Sequence, residues 1–168
     1  MNEQNANVPA SDDNDHAAVK FPPPVVGVLA ILIGFGLGRV YPIMDNFLVP
    51  APAGYWVGGL ICFLSGYVFG YLPIKLFQKS QQDPRPWTST PEILVEGPYK
   101  FTRNPMYVMM VLWCIGFSII LDEAWVFLLA PVCGYVIYRV AIRYEEIYLE
   151  EKFGDSYREY KKKVRRWI

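Results

Sequence analysis

The sequence predicts an all-α integral membrane protein of about four transmembrane helices. Its C-terminal pair should form a helical hairpin that continues into an amphipathic cytoplasmic helical tail. Three observations predict this. Hydrophobic residues make up 53% of the 168 residues and aromatic residues 16%, too apolar for a soluble domain of this length. The apolar residues gather into four runs. The cations gather into two segments between and after those runs, although the net charge is zero, and bulk charge therefore suggests no nucleic-acid partner.

Taken in order, residues 1–20 are polar and acidic, with Asp12, Asp13 and Asp15. They are expected to form a disordered tail. They lack the basic start and short apolar core of a signal peptide. Residues 21–168 are read as one membrane domain. Its first run, Phe21 to Gly38, carries no charge, opens on Pro22, Pro23 and Pro24, and closes on Arg39. The second, Gly54 to Ile74, is also free of charge. Each suits a hydrocarbon core of about 30 Å, which takes roughly 20 helical residues. The third run is Pro105 to Leu121 and the fourth Ala124 to Tyr138, where Arg139 can snorkel. Only Asp122 and Glu123 separate these two, hence the tight hairpin. Backbone exposed to lipid cannot stay unpaired, so each run should be helical.

Orientation follows from the cations. The Tyr41 to Ala53 connection and the Asp122–Glu123 turn carry no Lys or Arg. Lys75, Lys79, Arg85, Lys100 and Arg103 lie between runs two and three. Arg143, Lys152, Arg158, Lys161, Lys162, Lys163, Arg165 and Arg166 lie in the C-terminal tail. Both segments should be cytoplasmic, with both termini on that side. Arg39 is the one cation that falls on the other.

Several features have plain structural readings. Cys62, Cys114 and Cys133 lie inside apolar runs without metal or disulfide spacing, and read as buried hydrophobes. His16 lies in the polar tail, away from any triad or metal pattern. The stretch "GFGLG" (Gly34 to Gly38) follows no strand. With Gly54/Gly58 and Gly66/Gly70 it reads as small-residue helix packing, within one chain or between chains. The Tyr157, Tyr160 and Val164 stripe reads as packing or an interfacial face.

Two polar clusters remain. "GPYKFTRNPMY" (Gly97 to Tyr107) precedes the third run. Asn104 suits an N-cap and Pro105 the first helical position, so helix three should start there. Helix N-termini attract anions, Arg103 adds a full charge, and Tyr99 and Tyr107 offer aromatic walls. A helix cap with interfacial Arg and Tyr anchors accounts for the same residues. "RYEEIYLEEKFG" (Arg143 to Gly154) continues the fourth run out of the membrane. The hairpin should return Arg143, Glu145 and Glu146 to Arg103 and Asn104. That pairing could grip a zwitterion, or form a plain ion-pair network.

In order and spacing, "GPYKFTRNPMY", the hairpin and "EEIYLEEKFGDSYREYKKKV" resemble the isoprenylcysteine carboxyl methyltransferase family and, more widely, the membrane phospholipid methyltransferases. The resemblance covers roughly residues 84–167. It implies S-adenosylmethionine as methyl donor, bound at the cytoplasmic boundary. It assigns Leu94, Val95, Tyr99, Asn104, Pro105, Met106, Tyr107, Glu145 and Glu146 to the cofactor, and Arg143 with Arg103 to substrate and chemistry. The family often has His at the position of Asn104, which cannot titrate near neutral pH. "LVEGPY" is also one residue shorter than the usual approach. The implied activity is carboxyl O-methylation of an isoprenylcysteine-like or other lipophilic acceptor. A phospholipid or small-lipid N-methyltransferase and a non-enzymatic small membrane subunit are the competing readings.

Overall fold

The computed structural model describes residues 15–43 and 49–168. Within them the regular elements are helices, with one isolated backbone bridge between Thr102 and Arg165. Helix α1 is Pro23–Val40 and α2 is Ala53–Lys79. Helix α3 is Pro105–Leu121, α4 is Ala124–Phe153 and α5 is Asp155–Lys163. Helices α1, α2 and α4 are long and apolar enough to cross a membrane. Helix α3 is apolar and has 17 residues, about 26 Å at 1.5 Å per residue, close to the hydrocarbon thickness.

Helix α2 is continuous through a π-helical stretch, Gly66–Tyr71, just before Pro73. Pro73 has no N–H, and its ring would strike the carbonyl four residues back in a regular helix. The wider turn relieves that clash. A second π-helical stretch, Tyr138–Ile142, lies where α4 leaves its apolar part. There the Val140 carbonyl accepts the backbone N–H of Lys20 at 3.1 Å. Helix α2 ends with Gln81 in the left-handed region (φ 54°). The Gln82 N–H returns to the Phe77 carbonyl (2.9 Å) and the Gln81 N–H to that of Gln78 (3.2 Å). This is the six-to-one and five-to-two pattern that closes helix ends.

Helix α3 is central: α1, α2 and α4 pack against it, and α1 also packs on α4. The α3–α4 turn is the two-residue turn expected, with Asp122 left-handed at φ 51°. A buried cluster of Val26, Tyr107, Cys114, Ala130, Cys133, Ile137, Ala141 and Ile142 joins α1, α3 and α4. Cys114 and Cys133 are buried in it, as their positions within apolar runs anticipate, whereas Cys62 is only half-buried. The outward faces of α1 and α2 present Leu32, Trp56, Leu60 and Phe63, all well exposed, to lipid.

Glycine sets the approach of the helices within this one chain. A Cβ on Gly34 would lie 2.7 Å from the Val126 Cα, and one on Gly58 2.5 Å from the Gly116 carbonyl oxygen. Gly36, the middle of "GFGLG", faces open space.

Of the polar tail, Asp12 and Asp13 lie outside the described residues. Residues 15–20 run along the basic end of the bundle. Asp15 pairs with Lys152 at 2.5 Å, Tyr148 donates to an Asp15 carboxylate oxygen at 3.0 Å, and Ala17 is buried. The Tyr157–Tyr160–Val164 stripe is a packing face: Tyr157 and Val164 are buried.

Candidate functional site

The hairpin returns the end of α4 to the start of α3, and the two polar clusters meet there. A turn of 3-10 helix, Gly97–Lys100, starts from Gly97 at φ 55° and buries Pro98 and Tyr99. The Tyr99 ring packs edge-on against Phe77 at 6.3 Å, and the Tyr160 hydroxyl donates to the Tyr99 carbonyl at 2.7 Å. Burial, with the Glu145 carboxyl nearby, pushes the Tyr99 phenol well above its ordinary range. Burial and the Glu146 carboxylate likewise push Tyr157 up to about 12. Both phenols therefore stay protonated at physiological pH and remain hydrogen-bond donors.

The C-terminal strand of chain after α5 locks this corner. The Arg103 N–H donates to the Arg165 carbonyl at 2.9 Å. The Thr102 hydroxyl and the Asn104 side-chain amide both donate to the Arg166 carbonyl, at 2.9 and 3.1 Å. Helix α3 starts at Pro105 as predicted, but the Asn104 side chain does not cap it. Its amide is spent on Arg166. The Asn104 carbonyl instead accepts the N–H groups of Tyr107 and Val108, each at 3.1 Å. Pro105 has no N–H to offer. Attraction for an anion here therefore rests on Arg103 more than on a fan of backbone amides.

Arg103 is the most consequential charge. Its side chain is 9% exposed and its Nη2 lies 3.2 Å from Glu146. Arg166 grips the same carboxylate with both nitrogens of one fork, Nε at 2.9 Å and Nη2 at 2.7 Å. Two guanidiniums thus share one carboxylate. The Nε and Nη1 of Arg103 are buried and make no hydrogen bond among the described residues, although the guanidinium is near enough to Tyr157 to draw its phenol down against burial. Buried polar groups are normally satisfied, so an orphaned guanidinium edge is an unmet demand for an acceptor. Glu145, one residue earlier, takes the hydroxyl of Tyr107 instead.

These residues line a cleft of about 870 Å³, its open mouth included. Leu94, Tyr99, Arg103, Asn104, Pro105, Met106, Tyr107, Glu145 and Glu146 all stand on its wall. Val95 and Arg143 do not. Val95 is 48% exposed, and Arg143 is on the exposed side of α4. Adjacent residues of an extended chain point to opposite sides, so Leu94 facing in turns Val95 out. Arg143 precedes Glu145 by two residues, about 200° around a helix. The cleft also takes residues the sequence did not nominate: Phe77, Gln82, Tyr148, Leu149, Tyr157 and Tyr160. Arg166 adds the second guanidinium on Glu146. Nothing in the sequence marks Arg166 among its neighbouring cations.

A second, apolar groove of about 1000 Å³, open side included, runs between α3 and α4. Val108, Val111, Leu112, Pro131, Gly134 and Tyr135 line it, with Arg166, Trp167 and Ile168 from the C-terminal segment.

Comparison with known proteins agrees with the motif reading. Residues 55–156 match the phospholipid methyltransferase family model. A protein-S-isoprenylcysteine O-methyltransferase of Schizosaccharomyces pombe is 35% identical over 72 residues, 43% of this chain and 30% of its own length. The mouse protein of the same name is 32% identical over 84 residues, 46% of this chain and 27% of its own length. An uncharacterized protein of Haemophilus influenzae is 41% identical over 63 residues, 38% of this chain and its own entire length. The matched stretch thus covers less than a third of the two isoprenylcysteine relatives. No solved structure matches at a significant level. With well over half of its length fitted by one family model, including both polar clusters that build the cleft, the chain belongs to the phospholipid methyltransferase family.

Proposed function

We propose that the protein is an S-adenosylmethionine-dependent membrane methyltransferase, acting by carboxyl O-methylation on an isoprenylcysteine-like or other lipophilic acceptor at the cytoplasmic boundary. The observation that carries the reading is the orphaned, buried edge of Arg103 in a cleft lined by aromatic and apolar side chains. A carboxylate is the natural partner of such an edge. Tyr99, Tyr107 and Met106 supply flat or polarizable surface beside it. Leu94, Asn104, Pro105, Glu145 and Glu146 complete the proposed binding wall. These residues suit a ligand with a carboxylate at one end and an aromatic base at the other.

S-adenosylmethionine supplies an electrophilic methyl group on a sulfonium, so no metal or nucleophilic side chain is required of the protein. The protein's part is orientation and exclusion of water. Well-oriented reactants can gain about 7–11 kcal/mol toward the barrier. An acceptor carboxylate needs no base. The apolar groove between α3 and α4 suits its hydrocarbon tail. Arg166, shared between that groove and the Glu146 clamp, is where tail and reacting head would meet. This gives Arg166 the substrate-side role that the exposed Arg143 is poorly placed to fill.

One observation favours N-methylation of a lipid amine instead. Among the described residues Glu145, on the cleft wall, has only the Tyr107 hydroxyl as its hydrogen-bond partner, while Glu146 holds both guanidiniums. A carboxylate so placed could take the proton that an amine must lose.

Isothermal titration of detergent-purified protein with S-adenosylhomocysteine, beside Glu145→Ala, tests the site. The expected result is binding by the parent that the substitution removes, with membrane insertion unchanged. A folded parent that does not bind would sink the reading. Labelled cofactor with membrane lipid extracts then separates the chemistries: a base-labile ester for O-methylation, a stable product for N-methylation.

A further inference from the structure

We propose that Gln82 recognises a hydrogen-bond donor on the nucleoside end of the methyl donor, a hydroxyl or the exocyclic amine. The proposal rests on the S-adenosylmethionine reading above. Gln82 is 8% exposed and lines the cleft. Its Nε2 donates to a carboxylate oxygen of Glu92 at 3.3 Å. A carboxylate only accepts, so this contact fixes which end of the amide is which. The end left over is Oε1, a pure acceptor, buried without a partner.

The backbone holds Gln82 in place. Its own N–H closes the end of α2 on the Phe77 carbonyl, behind Gln81 in the left-handed conformation. Phe77 is also the residue whose ring meets Tyr99 on the cleft wall. The amide is therefore fixed from both sides: by the helix end through the main chain and by Glu92 through the side chain.

The described residues thus contain two sites of buried, unmatched polarity, and both are on this cleft: the Gln82 acceptor and the Arg103 donors. Their characters are opposite. Arg103 can only donate and is best matched by an anion; it cannot accept a hydroxyl or amine hydrogen. Gln82 demands a donor and would repel a carboxylate. A ligand that satisfies both carries a carboxylate and, elsewhere, hydroxyl or amino hydrogens. In the proposed orientation the amino-acid end lies at Arg103 and the nucleoside end at Gln82, whose acceptor then meets a nucleoside donor rather than the α-ammonium.

The test is titration of the full-length detergent-solubilised protein with S-adenosylhomocysteine and with analogues lacking the exocyclic amine, the 2′-hydroxyl or the 3′-hydroxyl. The parent should bind one analogue about tenfold more weakly, the scale of a lost buried hydrogen bond. Gln82→Met should bind the intact ligand about tenfold more weakly and no longer distinguish that analogue. Arg103→Met should weaken the intact ligand while keeping the discrimination. If Gln82→Met retains the parent's affinity and discrimination, the inference is overturned while the cofactor reading stands. If the parent does not bind S-adenosylhomocysteine, both fall. Should Gln82→Met fail to fold, Glu92→Ala, on an exposed side chain, frees the amide to turn and should reduce the same discrimination; unchanged discrimination there overturns the inference.

Discussion

The membrane half and the basic end of the molecule are held together by different physics. In the membrane half, helices meet where glycine lets backbone approach backbone, as at Gly34 on Val126 and Gly58 on Gly116. Large apolar side chains such as Trp56 and Phe63 point outward, because lipid is as good a solvent for them as a core. At the basic end the contacts are directional: Arg103 and Arg166 on Glu146, Thr102 and Asn104 on the Arg166 carbonyl, and Asp15 on Lys152. The first half should therefore be intolerant of added volume, the second of lost charge. The cleft lies in the second, where side chains can be left with unmet demands without lipid contact.

That contrast can be broken in graded ways. The largest effect should come from Glu146→Ala, which strands Arg103 buried and unpaired. Removing one member of a buried ion pair costs about 3–5 kcal/mol. Thermal unfolding in detergent should show a clear fall in Tm, and adding Arg103→Met should restore part of it. No recovery in the double variant would mean that the clamp is not the cause. Next, Gly58→Ala should cost about 1–3 kcal/mol by forcing α2 from α3. Gly36→Ala, facing open space, should leave Tm unchanged and is the control. Equal losses at both positions would show that backbone approach is not what Gly58 provides.

The smallest effect should be at Asp15, whose bond to Lys152 lies partly in solvent. Partly exposed pairs contribute below about 1 kcal/mol, and added salt weakens them further. The hydrogen bond from Lys152 holds the Asp15 carboxyl down at about 2. A carboxyl depressed on folding stabilises fully above its unfolded pKa, and that gain is lost as pH falls toward the folded value. The parent and Asp15→Asn should therefore differ slightly and constantly above about pH 5, and converge as the pH approaches 2. A difference that grows on acidification would contradict the pairing.

Much of the architecture could be read directly. The apolar runs, the two-residue turn and the Asn104–Pro105 start each report a local property, and the helices begin close to them, with α2 and α4 running on past the apolar stretch. The meeting of Arg103 with Glu146 follows from the hairpin and two apolar runs of similar length. The partners that complete the cleft are another matter. Arg166 is one of a run of cations, and a charge carries no address for its partner. Gln82 is an ordinary polar residue until the end of α2 and Glu92 bury and orient it. Arg143 read as an active-site cation from its proximity to the Glu pair, but helical phase turns it to the exposed side.

A membrane helical protein, the place of the hairpin and the start of α3 are legible in the chain, since hydropathy and proline act over a few neighbouring residues. Which polar atoms are paired and which are left wanting emerges with the packed fold. That depends on residues far apart in the chain, as when Arg166 closes on Glu146 and Thr102, and it leaves Arg103 and Gln82 each with an unsatisfied side-chain edge in the cleft.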